Sequence, residues 1–194
     1  PYTEKLLDIL DRYNVKATFF VTNGKPDYQN LIAQEAQRGH TVAIHSASHD
    51  YAKIYQSVDA YFADFDEMNS IITAQTGKAA DLVRFPGGSS NTISKKYCYG
   101  IMSQLVCAVE ERGFRYCDWN VSSGDAGGTT STSQVVANVI EGIKSNNVSV
   151  VLQHDIKNFS VDAVEQIIQW GLSEGYTFLP MTSTTPMSHH GVNN

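Results

Sequence analysis

The regular alternation of amphipathic segments with short apolar runs is the feature that most limits how this chain can fold. Apolar residues such as Leu6, Leu7 and Leu10 recur at helical spacing among charged neighbours. We predict helices at residues 2–13, 27–38, 58–75, 102–112, 131–143 and 161–172, and strands at residues 17–21, 41–44, 82–85, 115–119, 148–152 and 176–179. Because strands joined by helical crossovers pair in parallel and are covered on both faces, the predicted fold class is α/β.

The size and charge of the chain exclude several classes of function. Its 194 residues suit one domain, and we find no internal boundary, so a single domain over residues 1–194 is predicted. The net charge is −6 with no basic run, which argues against nucleic-acid binding and against an anionic membrane surface. No apolar stretch is long enough for a membrane span. The sequence does not indicate an oligomeric state.

The three cysteines, Cys98, Cys107 and Cys117, match no zinc-binding spacing and are too few for a disulfide scaffold. Buried thiols are one interpretation, since free cysteine is among the most buried residue types. One disulfide with one remaining thiol is the alternative.

Residues capable of chemistry follow four of the predicted strands. In a parallel α/β fold the carboxyl ends of the strands meet at one edge, where function gathers. His45 and His49 follow the strand at 41–44, and neutral imidazoles at this spacing suit zinc. An H-x-x-x-H segment also occurs by chance. The interpretation of this pair as a metal site therefore depends on the residues at the other strand ends.

The remaining strand ends complete a pattern that predicts metal-assisted hydrolysis. His154 follows the strand at 148–152 and is a candidate general acid, because histidine titrates near neutral pH. Asp125 is a candidate for stabilising the charged form of that histidine. A backbone N–H at Gly87 is a candidate oxyanion donor. Alternatively, Arg84 forms an ordinary ion pair, the glycines form only a turn, and His154 is structural.

Four segments resemble motifs of the polysaccharide deacetylases of carbohydrate esterase family four, and their order and spacing agree over essentially the whole chain. They are residues 16–21 (KATFFV), 45–49 (HSASH), 84–88 (RFPGG) and 152–155 (LQHD). The resemblance implies a distorted (β/α)7-type barrel. It also implies that a metal-activated water removes an N- or O-acetyl group from a sugar.

The resemblance also implies a role for individual residues. His45 and His49 would bind a divalent metal, which we expect to be zinc, with cobalt or a similar ion as alternatives. His154 would be the general acid, Asp125 would tune it, and Arg84 would hold the catalytic aspartate.

On the substrate side, the N–H of Gly87 would face the oxyanion, Pro86 would shape the same turn, and Leu152 would line the acetyl pocket. The aspartate-tryptophan pair of the family reads Asp125-Ala126 here, so an aromatic wall of that pocket is lost unless Trp119 or another ring replaces it.

A second departure from the family pattern concerns the third metal ligand. The family begins with a strand ending in T-F-D-D-G, which supplies the catalytic base and a metal-binding aspartate, and nothing in this chain matches it. The chain opens with a predicted helix instead. We therefore expect the first strand to precede Pro1 in a longer polypeptide or to lie on a separate one.

The expected function is N-deacetylation of N-acetylglucosamine units in peptidoglycan or chitin. An acetyl xylan esterase and a carbohydrate-binding pseudoenzyme without turnover are the alternatives. Because such polysaccharides lie outside the membrane, the resemblance implies a secreted or cell-surface protein whose partner is the polysaccharide.

Overall fold

The computed structural model describes residues 2–194 as two compact units, each treated below by itself. Unit 1 consists of the residues up to Ala17 together with Trp119–Pro180. Unit 2 consists of Thr18–Asp118 together with Met181–Asn194. The predicted single domain of residues 1–194 stays a prediction.

The secondary structure alternates helix and strand, as the sequence pattern predicts. In chain order the helices are α1 (Thr3–Arg12), α2 (Asn30–Gln37), α3 (Tyr51–Ile54), α4 (Val58–Thr76), α5 (Ile101–Glu111), α6 (Thr132–Lys144) and α7 (Asn158–Ser173), with 3₁₀ turns at Pro26–Tyr28 and Ile93–Lys96. The strands are β1 (Thr18–Thr22), β2 (Thr41–Ser46), β3 (Leu82–Val83), β4 (Arg115–Tyr116), β5 (Val121–Ser122) and β6 (Val151–Leu152).

Unit 2 is built on a parallel sheet with the strand order β1-β2-β3-β4. Its core is apolar, with Ile44 of β2, Leu82 of β3 and Met68 of α4 all fully buried. α4 begins at a Ser57 cap and ends at Gly77, whose φ of 77° provides the left-handed C-cap that glycine allows.

Unit 1 contains the parallel pair β5-β6 together with α1, α6 and α7. Val135, Val139 and Ile143 recur every four residues on one face of α6 and are buried against Ala163 and Ile167 of α7. This apolar contact between the two helices forms the core of the unit.

The predicted α/β class with parallel strands is confirmed, and the hydrogen-bonded strands of residues 2–194 do not close into a barrel. The predicted strand at 176–179 is wrong, since the structure assigns no strand there. Tyr176 packs on Trp170 with ring centroids 5.3 Å apart, and Phe178 fills the space above Gly171. Side-chain packing on α7, and not a β-ladder, therefore holds this segment.

The structure describes the state of the cysteines and the character of the helices. All three cysteines are free, with Cys117 buried, Cys107 exposed and Cys98 between these extremes. None of the helices in residues 2–194 has the length and apolar composition needed to cross a membrane.

Candidate active site

Strand register places the chemistry of unit 2 at one edge of its sheet. Ile44 is paired with Val83, and Val83 is paired with Tyr116. Because the strands are parallel, the next residues along them, His45 and Arg84, are also neighbours. The carboxyl ends of β2 and β3 therefore bring together two of the predicted site residues.

His45 is held in one tautomer by this arrangement. Its Nδ1 atom lies 2.6 Å from the backbone carbonyl oxygen of Arg84. Since a carbonyl oxygen can only accept, Nδ1 carries the proton and Nε2 carries the lone pair. Metal-binding histidines are commonly oriented in this way: one ring nitrogen binds the metal, and the N–H of the other donates to a backbone carbonyl oxygen.

His49 lies beside His45, and their ring centroids are 5.1 Å apart with the planes tilted by 50°. The backbone at His49 has a φ of 53°, a left-handed conformation that is uncommon for residues other than glycine. Its N–H donates to the Ser46 hydroxyl at 2.8 Å. Asp50, the next residue, caps α3 by accepting from the Ala52 N–H at 2.9 Å.

Asp64 is a residue of this site that the sequence analysis missed. It projects from α4, is almost fully buried, and accepts hydrogen bonds from Ser46, Ala47 and Ser48 in the loop between the two histidines. No local sequence pattern connects it with that loop. An aspartate in the middle of an amphipathic helix, on its buried face, is the signal that was available.

The two histidines suit a divalent metal as part of a ligand set. Neutral imidazole nitrogen is a favoured ligand of zinc, and the tautomer of His45 presents the required lone pair. Zinc sites contain three or more protein ligands. Residues 2–194 contain no group of three or more His, Cys, Asp or Glu side chains that could hold a metal ion. The identity of a third ligand therefore stays a prediction.

Arg84 is buried and its guanidinium is fixed by three contacts within unit 2. Nε donates to the carbonyl oxygen of Cys117 and Nη2 to that of Asp118, both at 2.9 Å. The guanidinium carbon also lies 4.2 Å from the centroid of the Phe20 ring. Arg84 is therefore rigidly placed, as a residue that positions a carboxylate must be. Its partner aspartate stays a prediction.

The glycine turn after Arg84 is tightly closed. Gly88 donates to the Phe85 carbonyl oxygen at 2.8 Å, and the Tyr55 hydroxyl donates to that of Pro86 at 2.7 Å. Gly87 has a φ of 78°, and a Cβ atom there would lie 2.7 Å from the Tyr51 hydroxyl oxygen. Within residues 2–194 no acceptor receives the N–H of Gly87. That donor is therefore available to a ligand, as its predicted oxyanion role requires.

In unit 1, strand register brings Asp125 and His154 together. Ser122 is paired with Leu152, so the segments that follow β5 and β6 run side by side. The backbone N–H of His154 donates to Oδ2 of Asp125 at 2.7 Å, and its Nδ1 lies 2.8 Å from Oδ1. Leu152, the predicted acetyl-pocket residue, is half-buried at the end of β6.

Asp125 is ionised in this setting. Burial alone raises the pKa of its carboxyl group, but hydrogen bonds from His154 and Ser160 outweigh burial and lower that pKa to about 2. The Ser160 hydroxyl, another contact that the sequence analysis missed, donates to Oδ2 at 2.6 Å. Because the carboxylate can only accept, Nδ1 of His154 carries a proton that points at it. This supports the predicted pairing of a general acid with a tuning aspartate.

The predicted residues thus form two clusters, one in each unit. His45, His49, Arg84, Pro86 and Gly87 belong to unit 2, at the carboxyl ends of β2 and β3. The residues Asp125, Leu152 and His154 belong to unit 1, at the carboxyl ends of β5 and β6.

Comparison with known proteins identifies the family of the chain. The family model described as polysaccharide deacetylase matches residues 1–99, slightly more than half of the chain. The chain belongs to the polysaccharide deacetylase family. The resemblance inferred from the four motifs is therefore confirmed.

Relatives of this chain include enzymes named for their action on peptidoglycan. A peptidoglycan-N-acetylglucosamine deacetylase of Bacillus cereus is 31% identical over 91% of the chain, which spans 63% of that relative. The solved catalytic domain of a peptidoglycan N-acetylglucosamine deacetylase from Eubacterium rectale is 70% identical, with a TM-score of 0.99, covering 100% of this chain and 89% of that one.

A second solved structure supports the fold. The polysaccharide deacetylase Bc1974 of Bacillus cereus is 29% identical, with a TM-score of 0.84, over 97% of this chain and 90% of that one. These likenesses confirm that the fold is that of the family, whose members have a distorted (β/α)7 barrel, although the hydrogen-bonded strands of residues 2–194 do not close into one.

Proposed function

We propose that the full-length protein containing this chain carries out metal-dependent removal of the acetyl group from N-acetylglucosamine units of peptidoglycan. The observation that carries the proposal is the fixed orientation of His45, whose Nδ1–H is bound to the Arg84 carbonyl oxygen so that Nε2 presents a lone pair. The names of the Bacillus cereus and Eubacterium rectale relatives support peptidoglycan as the substrate.

His45 and His49 would hold the metal, with zinc the expected ion. A bound divalent ion supplies polarisation of the acetyl carbonyl and a lower pKa for an attacking water. The N–H of Gly87 would donate to the oxygen that gains negative charge, in the turn that Pro86 shapes. Arg84 would hold the carboxylate that takes the proton from the water.

His154 would protonate the departing sugar nitrogen, which converts the amide into a free amine and acetate. Asp125 supports this role, since an ionised carboxylate beside Nδ1 stabilises the protonated ring. Leu152 would contact the methyl group of the acetyl. Because peptidoglycan lies outside the cell membrane, this function implies a secreted or surface-exposed protein.

The direct test measures acetate release by the full-length protein from three substrates, which are N-acetylated peptidoglycan, chitin oligomers and acetylated xylan. We expect release from peptidoglycan together with the appearance of free amino sugar. A chelator should abolish it and added zinc or cobalt should restore it. Release from xylan alone would contradict the proposed substrate, and activity that survives complete metal removal would contradict the proposed metal dependence.

A further inference from the structure

Asp64 stands out as a buried charge in an unfavourable place. It lies within α4, and its side chain is 3% exposed. Aspartate is a weak helix former, and a buried carboxylate is costly unless hydrogen bonds satisfy it. Local helix stability therefore does not account for Asp64, whereas its contacts with the histidine loop do.

Each oxygen of Asp64 accepts two hydrogen bonds, and all four come from residues 46–48. Oδ2 accepts from the Ser46 hydroxyl at 2.6 Å and from the Ala47 N–H at 2.8 Å. Oδ1 accepts from the Ser48 N–H at 2.8 Å and the Ser48 hydroxyl at 2.5 Å. Only an ionised carboxylate accepts four such bonds. Burial raises its pKa, but these hydrogen bonds outweigh burial and lower it.

The contact with Ser46 extends the influence of Asp64 to His49. The Ser46 hydroxyl has one proton, which it donates to Asp64, so it must accept from the His49 N–H at 2.8 Å. His49 has a left-handed backbone conformation that is strained for a residue with a side chain. Such strain persists only where surrounding contacts enforce it. The chain from Asp64 through Ser46 provides that enforcement.

We propose that Asp64 is a positioning residue for the metal site: it orders the loop of residues 46–48 and so holds the His49 imidazole beside that of His45. This inference rests on the proposed role of the two histidines as metal ligands. Asp64 acts through the loop backbone and through Ser46, without touching the metal itself.

The test compares Asp64→Asn with Asp66→Asn in the full-length protein. Asp66 lies on the same helix, is exposed, and has an Arg112 Nη1 atom 3.2 Å from its carboxylate, so its replacement is a matched control for losing one charge from α4. In Asp64→Asn the side-chain NH₂ group, which can only donate, replaces a carboxylate oxygen that accepts from residues 46–48, so those hydrogen bonds are lost. We expect zinc affinity, measured by competition with a chromophoric chelator, to fall at least tenfold in Asp64→Asn and to stay unchanged in Asp66→Asn.

A second measurement separates loop order from global stability. Amide hydrogen exchange at residues 46–49 should accelerate in Asp64→Asn, while exchange in the strands of the sheet stays as in the wild type. If Asp64→Asn does not fold, Ser46→Ala tests the same connection, because it keeps the carboxylate but removes the acceptor for the His49 N–H. We expect it to weaken zinc binding several-fold.

The outcomes distinguish this inference from the proposed function. Wild-type zinc affinity in both Asp64→Asn and Ser46→Ala would overturn the positioning role while leaving the metal function intact. Faster exchange with unchanged zinc affinity would overturn it too, since loop order would then not matter to the metal. A wild-type protein that takes up no zinc would instead overturn the proposed metal function.

Discussion

The Nδ1 atom of His154 lies 2.8 Å from Oδ1 of Asp125, and the backbone N–H of the same histidine donates to Oδ2. The aspartate thus binds both the ring and the main chain of the histidine. Because Asp125 also accepts from Ser160, its own orientation is fixed. The pair is therefore preorganised. Replacing His154 and replacing Asp125 should affect different properties of the protein.

Replacing His154 should affect turnover much more than folding or metal binding. We expect His154→Ala to lower kcat about a hundredfold or more, the usual scale for the loss of general acid catalysis. Its zinc content should remain close to that of the wild type. Its thermal stability should fall only modestly, because the Asp125 carboxylate loses the ring hydrogen bond but keeps those from the His154 backbone N–H and from Ser160. His189→Ala is a control for losing an imidazole, since His189 stacks on Tyr116 in unit 2 and has no proposed catalytic role. Unchanged kcat in His154→Ala would remove His154 from the mechanism.

Replacing Asp125 should change the pH dependence of stability. The folded-state pKa of about 2 lies below the ordinary value of 3.8, so Asp125 stabilises the fold above about pH 4 and this contribution is lost as the pH falls toward 2. The difference of nearly two units corresponds to about 2 kcal/mol. The gap in unfolding free energy between wild type and Asp125→Asn should therefore narrow between pH 4 and 2.

Chemical denaturation at several pH values measures that gap. Asp162→Asn is the matched control, because Asp162 is a partly exposed aspartate of α7 that pairs with Lys5 near the surface, where ion pairs contribute little. A constant gap between wild type and Asp125→Asn over this pH range would show that Asp125 does not titrate as inferred.

Much of the fold was predictable because helix and strand periodicities differ so clearly in this chain. The predicted helix at 58–75 corresponds to Val58–Thr76, with its end at Gly77. Strand lengths were less predictable. The predicted strands at 115–119 and 148–152 are ladders of only two residues, and Val121–Ser122 was missed. A strand of two residues is too short to show an alternating pattern in the sequence. It forms only because a partner strand lies beside it, and one sequence does not display that partner.

The placement of the candidate site residues was predictable where a sequence motif contains them. His45 lies near the end of β2, while Arg84 follows β3 and His154 follows β6, and their neighbours arise from register alone. Asp64 was not predictable in this way, because its contact with Ser46 depends on how α4 packs on β2. Supporting residues of this kind depend on tertiary packing, which a single sequence does not display.

We expect the 194-residue chain alone to bind a metal ion only weakly. They provide the His45 and His49 imidazoles without a group of three possible ligands, and two imidazoles make a poor zinc site. Calorimetric titration with zinc should give no tight stoichiometric binding. Whatever weak binding remains should disappear in a His45→Ala, His49→Ala double variant. Tight binding by this chain that survives the double variant would place the metal elsewhere.

Gly87 is constrained both by its backbone and by a neighbour, and the chain offers a control that separates the two. Gly87 and Gly77 have φ values of 78° and 77°. A Cβ atom at Gly77 would meet nothing within 4 Å, whereas at Gly87 it would lie 2.7 Å from the Tyr51 hydroxyl oxygen. Left-handed backbone costs an alanine about 1 kcal/mol at either position. The excess cost at Gly87 therefore reports the contacts with Tyr51 and with the Cβ atom of Asn91, which would lie 3.1 Å away.

We expect Gly87→Ala to destabilise the protein by about 1 kcal/mol more than Gly77→Ala does, in line with overpacking. It should also lower kcat, because displacing Tyr51 or the turn moves the Gly87 N–H. Combining Gly87→Ala with Tyr51→Phe removes the hydroxyl and should return the destabilisation toward that of Gly77→Ala. Denaturation of the wild type, Gly87→Ala, Tyr51→Phe and their combination forms a double-mutant cycle, and Gly77→Ala is a separate reference for backbone strain. Equal costs for Gly87→Ala in the presence and absence of the Tyr51 hydroxyl would show that this contact does not constrain the turn.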